Sequence, residues 1–88
     1  MRPPLVYVAW EDSSSPQGRA WWRVEGFDDE PVICASVGWL VKKSKRTVTI
    51  SGHLDDEMGK SFANPMIIPR SAIRLMKSVS VGKRKIRR

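Results

Sequence analysis

Apolar and polar residues alternate along several short runs of this chain, and clusters of Ser, Pro, Gly and acidic residues separate them. In "LVYVAW" (5–10), Val6, Val8 and Trp10 fall on one side and Leu5, Tyr7 and Ala9 on the other. That is the period of a strand. "EDSSSPQGRA" (11–20) reads as a loop. "WWRVEGF" (21–27) restarts the alternation, with Trp22, Val24 and Phe27 opposed to Trp21, Arg23 and Glu25. Adjacent side chains in a strand point to opposite faces, so one of the paired indoles is expected in the core. After a turn at "DDEP" (28–31), "VICASVGWLVKK" (32–43) makes a long strand. Its interior Gly38 marks a bend or bulge where the sheet curls. "TVTISGHL" (47–54) is rich in β-branched residues. It is expected to turn Val48 and Ile50 inward and Thr47, Thr49 and Ser51 outward. A loop follows over 55–65. "MIIP" is a short strand stopped by Pro69, "RSAI" predicts a short helical turn near 70–73, and "IRLMKSVSV" is a closing strand.

No run sustains a 3.6-residue period. Five to six strands separated by turns predict an all-β fold, a small barrel or sandwich. Curling the sheet also limits the exposed edges of so short a chain. At 88 residues the chain makes one domain. A domain of this size buries only about 60–65% of the surface its unfolded chain exposes, which leaves little room for a deep catalytic cleft.

The charge is unevenly distributed. Of the net +7, five charges come from Lys83, Arg84, Lys85, Arg87 and Arg88, while residues 1–81 hold eleven basic and nine acidic groups. The chain therefore divides into a nearly balanced body, 1–81, and a basic tail, 82–88. The tail is expected to be disordered, because its charges repel and its apolar content is low. A single cysteine, Cys34, excludes an internal disulfide and a multi-thiolate zinc site; it reads as a small buried hydrophobe. No apolar run approaches the ~20 residues of a membrane span. The opening "MRPPLVYVAW" lacks an extended apolar region and a small-residue cleavage site, so an intracellular location is the expectation.

The opening "VAWED", the central "SVGWL" and the late "IPRSAI" carry a resemblance that covers most of the chain from Val6 to Val79. The order of a glycine in a bent strand, a hairpin, a short strand, a one-turn corner and a closing strand resembles the SH3-like and Sm-like small barrels. The three motifs are also similar to small uncharacterised proteins of tailed phages and prophages. The resemblance implies an SH3-like or Sm-like barrel of phage or prophage origin and brings no activity with it. The hairpin lacks an Asp-x-x-Met-Asn run, so uridine binding does not follow.

Candidate chemistry lies in three groups of residues. Glu11 and Asp12, then Asp28, Asp29 and Glu30, then Asp55, Asp56 and Glu57 supply oxygen ligands of the kind hard cations take, yet all fall in turns, where Asp and Glu are common for local reasons. Ser51, His53 and Asp55 alternate along one strand and so share a face. A hydrolase or metal enzyme is the weakest reading, and no cofactor is called for. Four tryptophans are many for this length. Trp10 and Trp22 are the candidates for a protein-docking surface, and Tyr7, Trp10 and Trp22 could also be drawn as an aromatic cage. Finally, Lys42, Lys43, Lys45 and Arg46 crowd one hairpin tip. Such charge commonly protects strand ends from pairing. It signals nucleic acid if the fold sets it beside Arg70, Arg74 and Lys77, with the tail extending the contact. The leading expectation is a non-enzymatic accessory protein that binds nucleic acid; the alternative is an adaptor or inhibitor that docks on a host protein through exposed tryptophans.

Overall fold

The computed structural model describes residues 2–55 and 60–80. The chain is mostly β, as the alternation predicts. In order, the elements are β1 (Leu5–Asp12), β2 (Val32–Lys43), β3 (Thr47–Ser51), β4 (His53–Leu54), β5 (Phe62–Ala63), β6 (Met66–Pro69), a 3₁₀ turn (Arg70–Ala72) and β7 (Ile73–Ser78). Five strands form an antiparallel sheet in the order β6-β3-β2-β1-β7, and β4 and β5 make a separate two-stranded hairpin.

The core is five side chains from three strands: Val6 and Val8 of β1, Val48 and Ile50 of β3, and Ile68 of β6. Trp10, Leu40, Ala72, Ile73 and Met76 pack against it half-buried. The inward alternation of β1 and β3 supplies four of these residues and β6 the fifth, and β2, lying between β1 and β3, contributes Gly38 opposite Val6. A Cβ on Gly38 would stand 3.0 Å from the Ser51 carbonyl oxygen and 3.2 Å from the Ile50 Cβ. Glycine is required there because β2 approaches β3 more closely than a side chain allows. Two irregularities add curvature. Val41 is an extra residue in β2 between the pairs Leu40–Ile50 and Lys42–Thr49, and Arg74 is an extra residue in β7 between Trp10–Ile73 and Ala9–Leu75. Bulges of this kind bend a strand and increase its twist.

Topology requires the sheet to curl. β6 and β7 are its opposite edges, yet only the three residues of the 3₁₀ turn join them. In a flat sheet these edges would stand about 19 Å apart. The four steps from Pro69 to Ile73 reach at most about 14 Å. No ladder joins β6 to β7 among the described residues.

Three expectations fail for local reasons. Residues 21–27 form no strand. Val24–Phe27 is a turn, closed by the Phe27 N–H on the Val24 carbonyl at 3.3 Å, with Gly26 at φ +75° in its third position. That geometry is a type II turn, which places a glycine there and reverses the chain. Consequently neither paired indole enters the core: Trp21 is 89% exposed and Trp22 44%. Ser51, expected to face outward, is buried, because the strand breaks at Gly52 and its hydroxyl serves the β4–β5 hairpin. The loop expected over 55–65 contains β5. The tail 82–88 and the acidic Asp56 and Glu57 lie outside the described residues.

Candidate functional site

The hairpin between β2 and β3 turns through Ser44, Lys45, Arg46 and Thr47, with the Ser44 N–H donating to the Thr47 carbonyl at 2.9 Å. The Ser44 hydroxyl accepts the backbone N–H groups of Arg46 (3.3 Å) and Thr47 (3.1 Å). A serine that captures the amides two and three residues on fixes a turn locally. Lys45 and Arg46 thus occupy the centre of the turn and are exposed.

Arg70 reaches this turn from the 3₁₀ segment. Its backbone N–H donates to the Arg46 carbonyl at 2.8 Å, and its Nε donates to the Ser44 carbonyl at 2.6 Å. One residue therefore occupies the Ser44 and Arg46 carbonyls of the turn. The guanidinium keeps its terminal N–H groups for other partners, since Nε is only one of its five donors. Among the described residues, Lys42, Lys43, Lys45, Arg46 and Arg70 form no ion pair. Lys45, Arg46 and Arg70 thus lie at one braced turn, while Lys42 and Lys43, adjacent at the end of β2, point to opposite faces of the strand.

Arg74 and Lys77 are placed differently. Both lie on β7, whose ladder partner is β1. Arg74 Nη1 lies 3.7 Å from Glu11 Oε1, with both side chains largely exposed. Such a surface pair contributes about 0–1 kcal/mol, but it offsets the Arg74 charge locally. Lys77 stands across from Tyr7. The sequence-derived stripe thus separates into a hairpin group that includes Arg70 and a β7 group. The tail cations Lys83, Arg84, Lys85, Arg87 and Arg88 lie outside the described residues. Sequence reasoning missed Ser44; its signal is a serine at the first position of a four-residue turn.

The aromatic residues also divide. Trp10 packs against the core, and its indole N–H donates to Ser36 Oγ at 3.0 Å. Tyr7 lies on the opposite face of β1 from Trp10, so these two cannot wall one cage. Trp22 lies in the β1–β2 loop, edge-on to Phe27 with ring centroids 5.5 Å apart. Two open clefts flank this pair. One, of about 320 Å³, is lined by Pro16, Trp22, Arg23, Val24, Phe27 and Asp29; the other carries Glu25 and Asp28.

The strand-like spacing of Ser51, His53 and Asp55 does not present a hydroxyl to solvent. Ser51 Oγ lies within hydrogen-bonding distance of the His53 (2.9 Å) and Ala63 carbonyls and accepts the His53 N–H at 3.1 Å. It pins β4 and β5 to the end of β3, while His53 itself is exposed. Ser51→Ala is expected to cost about 1 kcal/mol, since the part-buried carbonyls of His53 and Ala63 lose their hydroxyl donor. Amide exchange at His53 and Asp55 should accelerate while β1 and β2 remain protected; uniform acceleration would contradict the local role. Cys34 is half-buried. Among the described residues, no three His, Cys, Asp or Glu side chains are grouped to hold a metal ion, and no helix is long and apolar enough to cross a membrane.

No protein-family model, curated protein or solved structure matches the chain.

Proposed function

We propose that this protein binds the phosphate backbone of nucleic acid at the β2–β3 hairpin and acts without catalysis, as an accessory protein of phage or prophage origin. The observation that carries the reading is the Arg70 clip, which joins Arg70 to the turn that holds Lys45 and Arg46, at the end of the strand that carries Lys42 and Lys43. The tail cations Lys83, Arg84, Lys85, Arg87 and Arg88, which lie outside the described residues, supply further charge of the same kind. The fold reading that accompanies it is an SH3-like or Sm-like small barrel. Support comes from the bent β2, the two bulges and the three-residue link between edge strands.

Phosphate contact releases condensed counterions, so affinity should fall steeply with salt. Duplex DNA of mixed sequence should bind, with log Kobs decreasing linearly against log salt between 50 and 200 mM, measured by fluorescence anisotropy. The pair Lys45→Ala and Arg46→Ala should reduce the magnitude of the slope by about two and weaken all sequences alike. Absence of binding at 50 mM salt, or a slope unchanged in the double variant, would overturn the reading.

A further inference from the structure

β2 is 12 residues long, yet β3 accompanies only its C-terminal part. The β2–β3 ladder starts at Trp39–Ser51, and after the break at Gly52 the next strand, β4, pairs with β5 instead. Residues 32–37 therefore pair with β1 on one side and, among the described residues, with no strand on the other. The direction of their main-chain groups follows from one bond. The Leu40 N–H donates to the Pro4 carbonyl at 2.8 Å, toward the β1 side. Successive residues of an antiparallel strand direct their N–H and C=O groups to alternate sides. Gly38, Ser36 and Cys34 thus serve β1, while Val37, Ala35 and Ile33 aim theirs at the open edge. All three are exposed, Val37 at 57% and Ile33 at 49%.

An open strand edge is a template for pairing, and β proteins blunt such edges with charge, proline, bulges or brevity. The two outer edges of this sheet are blunted. β6 is four residues long and ends on Pro69, and β7 carries Lys77 and bulges at Arg74. The open stretch of β2 is not. From Val32 to Val37 it holds no charge and no proline, and its register against β1 runs without a bulge.

Register identifies what fits there. Antiparallel pairing of this segment with itself, about a two-fold axis at Ala35, sets Ile33 against Val37, Ala35 against Ala35 and Val37 against Ile33. These are the three residues whose main-chain groups point outward, so every pair can exchange both of its hydrogen bonds. The β-branched Ile33 and Val37 meet on one face, and Cys34 meets Ser36 on the other. Neighbouring registers lose this match. Moving the axis to Cys34 sets Val37 against Pro31, which has no N–H to give. Moving it to Ser36 sets Ile33 against Trp39, whose outward side is already paired with Ser51.

We propose that the open edge of β2, residues 32–37, pairs antiparallel with the same edge of a second copy of this chain, joining the two sheets into one across a two-fold axis at Ala35. Such a contact is isologous, each copy offering the same surface. It does not use the basic hairpin and stands if the nucleic-acid reading fails. Six residues a side fall below the roughly 20–30 of a standard interface, so the dimer is expected to be reversible, with a dissociation constant of about 10–100 μM.

Sedimentation equilibrium of the full-length protein should show monomer and dimer exchanging in that range. Ala35→Lys and Ala35→Glu each set like charges directly opposite one another at the axis. Each variant alone should be monomeric, and each should melt close to the wild type by circular dichroism, because position 35 is exposed. Mixed in equal amounts they should form a dimer again, since the axis then pairs opposite charges. Hydrogen exchange tests the same pairing without a substitution: the amides of Ile33, Ala35 and Val37 should gain protection as wild-type concentration rises, while those of Cys34 and Ser36 are protected throughout. Wild-type protein still monomeric at about 1 mM would overturn the proposal and leave the edge to an extended segment of another protein. Dimerisation indifferent to Ala35→Lys would overturn it too. Loss of the dimer on Trp22→Ala but not on Ala35→Lys would assign association to the β1–β2 loop. Folded variants that stay monomeric when mixed would remove the axis from Ala35, as would exchange at Ile33, Ala35 and Val37 that does not change with concentration.

Discussion

Gly38→Val is expected to abolish cooperative folding. Even a single methyl at Gly38 would meet the Ser51 carbonyl oxygen at 3.0 Å and the Ile50 Cβ at 3.2 Å. The first of these contacts is backbone and belongs to the ladder that pairs Trp39 with Ser51, so it cannot move aside as a side-chain tip can. Valine adds two further methyl groups at the same point. Relief would require separating β2 from β3 where the core residue Ile50 also sits. Overpacking costs about 1–3 kcal/mol in cores that can adjust. Here adjustment also breaks the ladder and the Ser51 anchor of the β4–β5 hairpin. A small domain has only about 5 kcal/mol or somewhat more in total. Circular dichroism with thermal melting checks this: Gly38→Val should show no cooperative transition, and Gly38→Ala a transition lowered by about 5–15 °C. A Gly38→Val protein that melts like the wild type would show that β2 does not approach β3 this closely.

Ile68→Ala should have the next largest effect, about 3 kcal/mol measured by chemical denaturation. Ile68 is almost wholly buried and is the single β6 residue in the five-member core. It pairs across the ladder with Val48, which is also fully buried. Removing three carbons leaves a cavity in a core too small to redistribute the loss. The effect should reach beyond stability. Pro69 and Arg70 follow Ile68 directly, so loosening β6 releases the residue that braces the hairpin turn. Nucleic-acid affinity and stability should therefore fall together in Ile68→Ala, whereas Lys45→Ala and Arg46→Ala lower affinity alone. An Ile68→Ala protein of unchanged stability would remove β6 from the core.

Two features of the β2–β3 hairpin were legible to different degrees. Gly38, set inside an otherwise regular alternation, announced a bend because a strand interior seldom omits its side chain. The cluster Lys42, Lys43, Lys45 and Arg46 was equally visible as charge, but charge on a hairpin tip is compatible with mere solvation. Its reading as a nucleic-acid surface was tied to Arg70, Arg74 and Lys77 all lying beside it, and of these only Arg70 bonds to the hairpin turn. Arg70 does arrive, through a 3₁₀ turn placed 24 residues along the chain from Arg46; Arg74 instead meets Glu11, because the bulge at Arg74 belongs to the β1–β7 ladder.

The segment 21–27 failed for a different reason. Its apolar alternation imitates a strand, but alternation records only that side chains differ in kind, not that a neighbouring strand is available. Gly26 in the third position of a type II turn overrode it locally. The signal was present as the single glycine before Phe27, and it outweighed three apolar residues because backbone conformation limits what pattern can express.

By itself, the sequence determined that the chain is mostly β, where β1, β2, β3, β6 and β7 run, and that Val48 and Ile50 of β3 turn inward, because a period of two sorts side chains between faces without reference to anything distant. It also marked Gly38 as a special position, which the structure shows to be a close approach of β2 to β3, and it separated a near-neutral body from a basic tail in charge. Tertiary structure alone decided which distant groups meet: Arg70 with Ser44 and Arg46, Ser51 with Ala63, Trp10 with Ser36. It also decided that Trp21 and Trp22 remain outside the core. These outcomes depend on strand order and curl, which set contacts between residues far apart in the chain and leave no periodic trace along it.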